Sequence, residues 1–244
     1  MAVFQSVFDI IGPVMVGPSS SHTAGAVRIG LAARSIFGEQ PEEVDITLYG
    51  SFGHTYRGHG TDLALIGGLL GRATDSDEIR YAYDLAEKEG LKVNIKVSDR
   101  NVDHPNTAHI VMFAGDRSMN MTACSVGGGM INIIRIDGFR VRVSFDNPTV
   151  LFFYRDRTGM IARVTRILAD HSINVSRMQV ARKESGTQAL MTIATDGIIP
   201  ERVMAEIRSI SELGPIISLS ELMREPDQAP VNGSTAQESR RPQS

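Results

Sequence analysis

Cysteine occurs once in the 244 residues, as Cys124. That scarcity excludes an intrachain disulfide and predicts a cytoplasmic protein. It also means that this chain cannot hold an iron–sulfur cluster alone, because a cluster needs about three or four thiolates. Cys124 falls in a predicted strand and reads as a small buried hydrophobe rather than a nucleophile. Lysine is scarce too: Lys88, Lys92, Lys96 and Lys183 are the four, and none lies near a glycine-rich loop. This argues against Schiff-base pyridoxal chemistry and against a Walker-type phosphate loop. There is no large excess of either charge. The net charge of −3, with basic residues scattered, points away from nucleic acid and anionic membranes as partners. Residues 2 to 16 are fairly apolar, but Asp9 interrupts them and no basic residue precedes them. They are expected to be an amphipathic start to the fold, neither a signal peptide nor a transmembrane span.

What the chain does have is a loop-to-helix junction rich in hydroxyls, Gly17-Pro18-Ser19-Ser20-Ser21-His22-Thr23-Ala24-Gly25. Ala24, Val27 and Leu31 then recur at helical spacing. A serine or threonine before such a run caps the helix, and free N–H groups at a helix start also suit an anion such as a substrate carboxylate. The same residues would equally serve a plain cap with a bystander histidine.

A strand follows at Val44 to Tyr49, and then a glycine-rich loop, Gly50 to Asp62, carrying His54 and His59. A second helix is expected through Leu63, Ile66, Leu69 and Leu70, and an exposed amphipathic helix over Asp77 to Glu89. Lys92 to Val97 reads as a strand, and Asp103-His104-Pro105-Asn106 as a turn into the strand Thr107 to Ala114. Met119 to Val126, Met130 to Ile136 and Phe139 to Phe145 complete the strands of this part, the last two joined by the hairpin signal Asp137-Gly138. Residues 1–146 are thus expected to be an α+β domain with an antiparallel sheet. Asn147-Pro148 marks the boundary. Residues 149–223 then run strand, helix, strand, strand, helix, strand, with a turn at Glu184-Ser185-Gly186. This βαββαβ order is the ferredoxin-like plan. Residues 225–244 hold three prolines, no aromatics and almost no aliphatics, the composition of a disordered tail.

Three histidines stand in polar segments of the first domain: His22, His59 and His104, the last beside Asn106. Imidazoles so placed suit proton transfer or substrate hydrogen bonding near neutral pH, and could converge on one pocket. No His-x-x-x-His or carboxylate spacing supports a metal site. His54 is assigned a supporting place, and His109, inside an apolar strand, and His171, near a helix C-terminus, structural ones.

The ordered set Gly-Pro-Ser-Ser-Ser-His-Thr, Gly58-His59-Gly60-Thr61-Asp62, His104-Pro105-Asn106 and Gly127-Gly128-Gly129 resembles the β subunit of iron–sulfur-dependent L-serine dehydratase. The resemblance runs over residues 1 to about 223. Within it, Arg155-Asp156-Arg157-Thr158-Gly159 before a helix, with Asn174 opening the next strand, resembles an ACT domain. The resemblance implies a β-elimination of L-serine to pyruvate and ammonia. It implies a [4Fe-4S] cluster ligated by a cysteine-rich α partner chain and not by this one. On that basis His22, His59 and His104 are the catalytic candidates, and Ser20, Ser21, Thr23, Gly60, Thr61 and Asn106 the substrate-binding ones. Asp156, Gly159 and Asn174 are the candidate effector-binding residues of the ACT domain, through which self-association is also expected. The competing reading is a regulatory amino-acid-binding module without a catalytic role.

Overall fold

The computed structural model describes Gly17 and residues 19–183 and 186–219. The expectations for residues 2–16, for Glu184-Ser185 within the predicted turn and for the 225–244 tail lie outside the described residues. So do the last residues of the 149–223 segment.

The first junction forms a π-helical turn, Ser20–Ala24, that runs into helix α1, Gly25–Phe37. Strand β1, Glu43–Tyr49, leads into helix α2, Gly50–His59, and helix α3, Thr61–Leu69. The glycine-rich stretch expected to be a loop is therefore two helices, broken only at Gly60 with φ 65°. Phe52 is buried in the core and Tyr56 packs against it. That four-residue spacing is satisfied by a helix, and the burial outweighs the poor helix propensity of glycine.

The single helix expected over Asp77 to Glu89 is also corrected. A 3₁₀ turn, Asp77–Tyr81, precedes a short helix α4, Ala82–Lys88, with Tyr81 at φ −111°, ψ 23° between them. Ile79 and Ala82 are both buried, and three-residue spacing between anchors favours the tighter turn.

Strands β2 (Lys92–Ser98), β3 (Thr107–Ala114), β4 (Arg117–Gly127), β5 (Met130–Ile136) and β6 (Phe139–Ser144) join β1 in a six-stranded sheet, ordered β2-β1-β3-β4-β5-β6. It is antiparallel except at its edge, where β2 runs parallel to β1. That pairing follows from connectivity, since helices α2 to α4 carry the chain back to the starting end.

Helices α1 and α3 cross at glycine contacts and cover one face of the sheet. A Cβ on Gly68 would stand 2.1 Å from the Val27 carbonyl oxygen, and one on Gly30 2.4 Å from that of Leu65. Only glycines permit backbones this close. Ile29, Ile36, Ile46, Leu48, Leu65 and Ile110 lie among the fully buried residues of that core.

The rest is β7 (Thr149–Arg155), α5 (Met160–Asp170), β8 (Val175–Arg182), β9 (Gln188–Thr195), α6 (Glu201–Arg208) and β10 (Leu213–Ser218). The sheet order β10-β7-β9-β8 is that of a ferredoxin-like fold. Val150, Phe152 and Tyr154 face its helices, while the alternate residues Leu151 and Phe153 turn to the core of the first sheet. The two sheets are also tied side by side. The Gln179 carboxamide accepts from Arg142 N–H at 2.9 Å and donates to Arg140 O at 3.4 Å, satisfying the edge of β6. Lys183 Nζ lies 2.7 Å from Asp137 Oδ2 and sits over the Phe139 ring. Among the described residues no helix is long and apolar enough to cross a membrane.

Candidate active site

Ser19 caps the first turn. Its backbone is extended, and its hydroxyl accepts from the His22 N–H at 3.2 Å. The cap fixes where His22 points. Its Nε2 lies 3.0 Å from Ser51 Oγ, in the first turn of α2, and its Nδ1 3.4 Å from Ser19 Oγ. With a hydroxyl at each nitrogen, the ring keeps its orientation in either tautomer. The imidazole stacks at a tilt on His59, ring centres 4.8 Å apart, and meets Phe52 edge-on at 5.4 Å. Burial holds the His22 pKa below its usual value, and the neighbouring His59 lowers it further. His22 is therefore a neutral imidazole near pH 7, able to accept a proton.

His59 is the last residue of α2, within the stretch expected to be a loop before the next helix. Its carbonyl accepts from the Thr23 hydroxyl at 3.4 Å, which ties the two motifs together. His59 Nδ1 and Thr61 Oγ1 are buried with no hydrogen-bond partner among the described residues. Unsatisfied buried polar atoms are costly, and their grouping here suits a polar ligand. A cleft of about 310 Å³ beside them is lined by Thr23, His59, Gly60, Leu63, Ile79 and Arg80, among others.

The turn at His104 docks on this assembly through its backbone. Phe52 N–H donates to Pro105 O at 3.3 Å. Gly50, at φ 53°, passes so near that a Cβ would lie 2.7 Å from that oxygen. Asn106 N–H donates to His104 Nδ1 at 3.2 Å, so the neutral ring carries its proton on Nε2. Asn106 also exchanges backbone and side-chain hydrogen bonds with Ser125 at the end of β4, whose own hydroxyl is buried without a partner among the described residues.

A second cleft of about 360 Å³ lies at the start of α5, lined by Tyr154, Asp156, Arg157, Thr158, Gly159 and Arg182, among others. Asp156 Oδ2 is 2.8 Å from Arg182 Nε. Burial, and then the Asp156 carboxylate, push the Tyr154 phenol above its usual pKa. Asn174 is not in this cleft: its amide donates to Asp196 Oδ2 at 2.7 Å. Of the three candidate effector residues, then, the fold groups two.

Comparison with known sequences bears on both clefts. The serine dehydratase beta chain profile matches residues 6–98, and the ACT domain profile residues 148–212. The probable L-serine dehydratase beta chain of Bacillus subtilis (strain 168) is 47% identical over 219 residues, covering 90% of this chain and 98% of that one. The chain belongs to the serine dehydratase beta chain family. A second member, the L-serine dehydratase beta chain of Peptoniphilus asaccharolyticus, is 33% identical over 84% of this chain and 93% of its own. A D-3-phosphoglycerate dehydrogenase of Bacillus subtilis (strain 168) is 31% identical over 153 residues, 62% of this chain but 29% of that protein.

For this family member the sequence motifs and the folded site overlap only in part. Ser51 is the clearest omission. It touches His22 across 29 positions, and no local pattern announces such a pair. Asp62 is another: 7% exposed, it accepts from the Tyr83 hydroxyl at 3.1 Å. Burial, with the Asp62 charge and hydrogen bond, pushes the Tyr83 pKa up to about 12. Asp62 lay inside a motif already singled out, whereas Tyr83, from the next helix, carried no signal.

Proposed function

We propose that this chain is the beta subunit of an L-serine dehydratase, completing with an α partner a site that converts L-serine to pyruvate and ammonia. In this reading residues 1–146 supply the catalytic groups and residues 149–223 form an ACT domain that binds an effector and takes part in self-association. The His22–His59 contact, with Ser51 bonded to His22 and the buried Nδ1 of His59 left without a partner among the described residues, carries the reading. An imidazole set against a second one that stays neutral is equipment for moving a proton from carbon, the neutral ring being free to hydrogen-bond the substrate. A module that only bound an amino acid would not need them.

This chain's own residues do not fit a [4Fe-4S] cluster. Cys124 is its one thiol, 5% exposed, and burial pushes its pKa up, against the thiolate a cluster requires. Among the described residues no group of three or more histidine, cysteine or carboxylate side chains could hold a metal ion. The cluster, a Lewis acid for the substrate hydroxyl, is assigned to the cysteine-rich α chain. From this chain His59 is the acid–base group. His22, Ser20, Ser21, Thr23, Gly60 and Thr61 hold the substrate beside it, and His104 with Asn106 closes the pocket.

The regulatory alternative is that the same residues bind an amino acid without acting on it. One experiment separates the two. Pyruvate release from L-serine is measured for the chain alone, the α partner alone and their anaerobic mixture, each with and without an iron chelator. Chelator-sensitive activity confined to the mixture supports the subunit reading. Activity from this chain alone, untouched by chelator, overturns it, as does full activity from the α chain alone.

A further inference from the structure

Helices α1 and α3 cover one face of the six-stranded sheet, and no described helix lies on the other. One row of that open face can be followed across all six strands by register. Lys96 on β2 pairs with Thr47 on β1, and Thr47 with His109 on β3. His109 pairs with Thr122 on β4, Thr122 with Arg135 on β5, and Arg135 with Arg140 on β6. The row holds three permanent cations, an imidazole and two hydroxyls, and no acid. Lys96, Arg135 and Arg140 are exposed, and none makes an ion pair among the described residues. The nearest acids on neighbouring rows are already engaged. Asp45 and Glu43 accept from Asn94, Glu43 also pairs with Lys92, and Asp137 at the β5–β6 turn pairs with Lys183. Arg135 and Arg140 stand directly opposite, and like charges so placed destabilise a sheet. The field of the row reaches inward as well: after burial, Lys96 and Arg135 are what lower the His109 pKa.

We propose that this open face is a docking surface for an acidic surface of the α partner chain. The inference rests on the two-subunit reading and adds to it where the partner sits. Six strands at ordinary spacing make the row roughly 24 Å long, far more than one small anion spans and the scale of a protein interface. A second copy of this chain placed face to face with the two rows in register would set cation on cation, which disfavours that occupant. Position supports the α chain. The next row along, Tyr49, Thr107 and Cys124, is about 7 Å away by strand rise. Tyr49 leads directly into Gly50-Ser51 and α2, and Thr107 follows the His104–Asn106 turn. A partner that covers the Ser51 and His104 segments would thus reach the edge of this face, past Thr107 and Cys124, which are themselves buried. Opposite charge there would steer the encounter and relieve the Arg135–Arg140 repulsion.

The test is association of the full-length chain with the α partner at several salt concentrations, for the native sequence and for Arg135→Gln/Arg140→Gln. Arg166→Gln/Arg202→Gln, which removes the same charge from α5 and α6, is the control. The sheet-face variant is expected to associate about tenfold more weakly, with a shallower dependence on salt, while the control stays near native. Its melting temperature alone should equal or exceed the native value, because a like-charge pair is gone. A merely structural role for the arginines would lower it. Native-like association of the variant, in a mixture where the native pair forms an active complex, overturns the proposed surface and leaves the two-subunit reading standing. If the native chains do not associate, both fail together.

Discussion

The imidazoles of His22 and His59 come from two motifs 37 positions apart, yet their ring centres lie 4.8 Å from one another with planes 34° apart. The contact exists because the Ser19-capped turn packs on the end of α2. Thr23 bonds the His59 carbonyl from one side and Ser51 bonds His22 from the other. After burial, the neighbouring His59 is what lowers proton affinity at His22.

Loss of one ring tests this directly. His59→Asn is expected to cut turnover of the assembled enzyme by about 10²–10⁴-fold, the usual contribution of general acid–base catalysis. The melting temperature should change little, because His59 is outside the hydrophobic core. Near-native turnover in the mixture with α would remove His59 from the mechanism.

Ser51→Ala probes positioning rather than chemistry. Without the 3.0 Å contact His22 keeps only the longer one to Ser19, so its orientation loosens. Turnover should fall by about tenfold and the acidic limb of the pH–rate profile should move, while the far-ultraviolet spectrum stays native. A smaller rate with an unmoved profile would mean that Ser51 serves the fold alone.

Stability should depend on pH through His22 and His109, both lowered from the ordinary histidine value, chiefly by burial. The unfolded chain, with pKa near 6.5, then takes up protons before the folded one does. Stability is full above about pH 6.5 and is lost as pH falls through the lowered folded values. Melting temperatures between pH 8 and 5 should show the fall, and His109→Gln should flatten it. A native curve with no drop below pH 6.5 contradicts the assignment.

The α1–α3 crossing predicts a large local effect. Gly68→Ala places a methyl 2.1 Å from the Val27 carbonyl oxygen, where backbone must move. The cost is expected to reach about 3 kcal/mol, or roughly 6–12 °C in melting temperature for a chain of this size. Gly58→Ala, with nothing within 4 Å of the added methyl, is the matched control and should be neutral or slightly stabilising. Equal melting temperatures for the two variants would contradict the close crossing.

Much of this protein follows from local chemistry alone. Alternation and the Asp137-Gly138 turn determine the strands from Thr107 to Ser144, because period-two burial and a tight hairpin are properties of neighbouring residues. The βαββαβ order is equally local, and so is the cap at Ser19. Cysteine count by itself excludes an iron–sulfur cluster held by this chain alone. Tertiary structure alone decided that Gly50 to His59 is helical, since that depends on Phe52 finding the core at the right angle. It alone made β2 run parallel to β1 and aligned Lys96 with Arg140 in one row across six strands. Pairing between distant strands is set by packing and connection, neither of which is written in any short window of sequence. The same holds at the site, where Ser51 reaches His22 and Tyr83 reaches Asp62 only after the helices have packed.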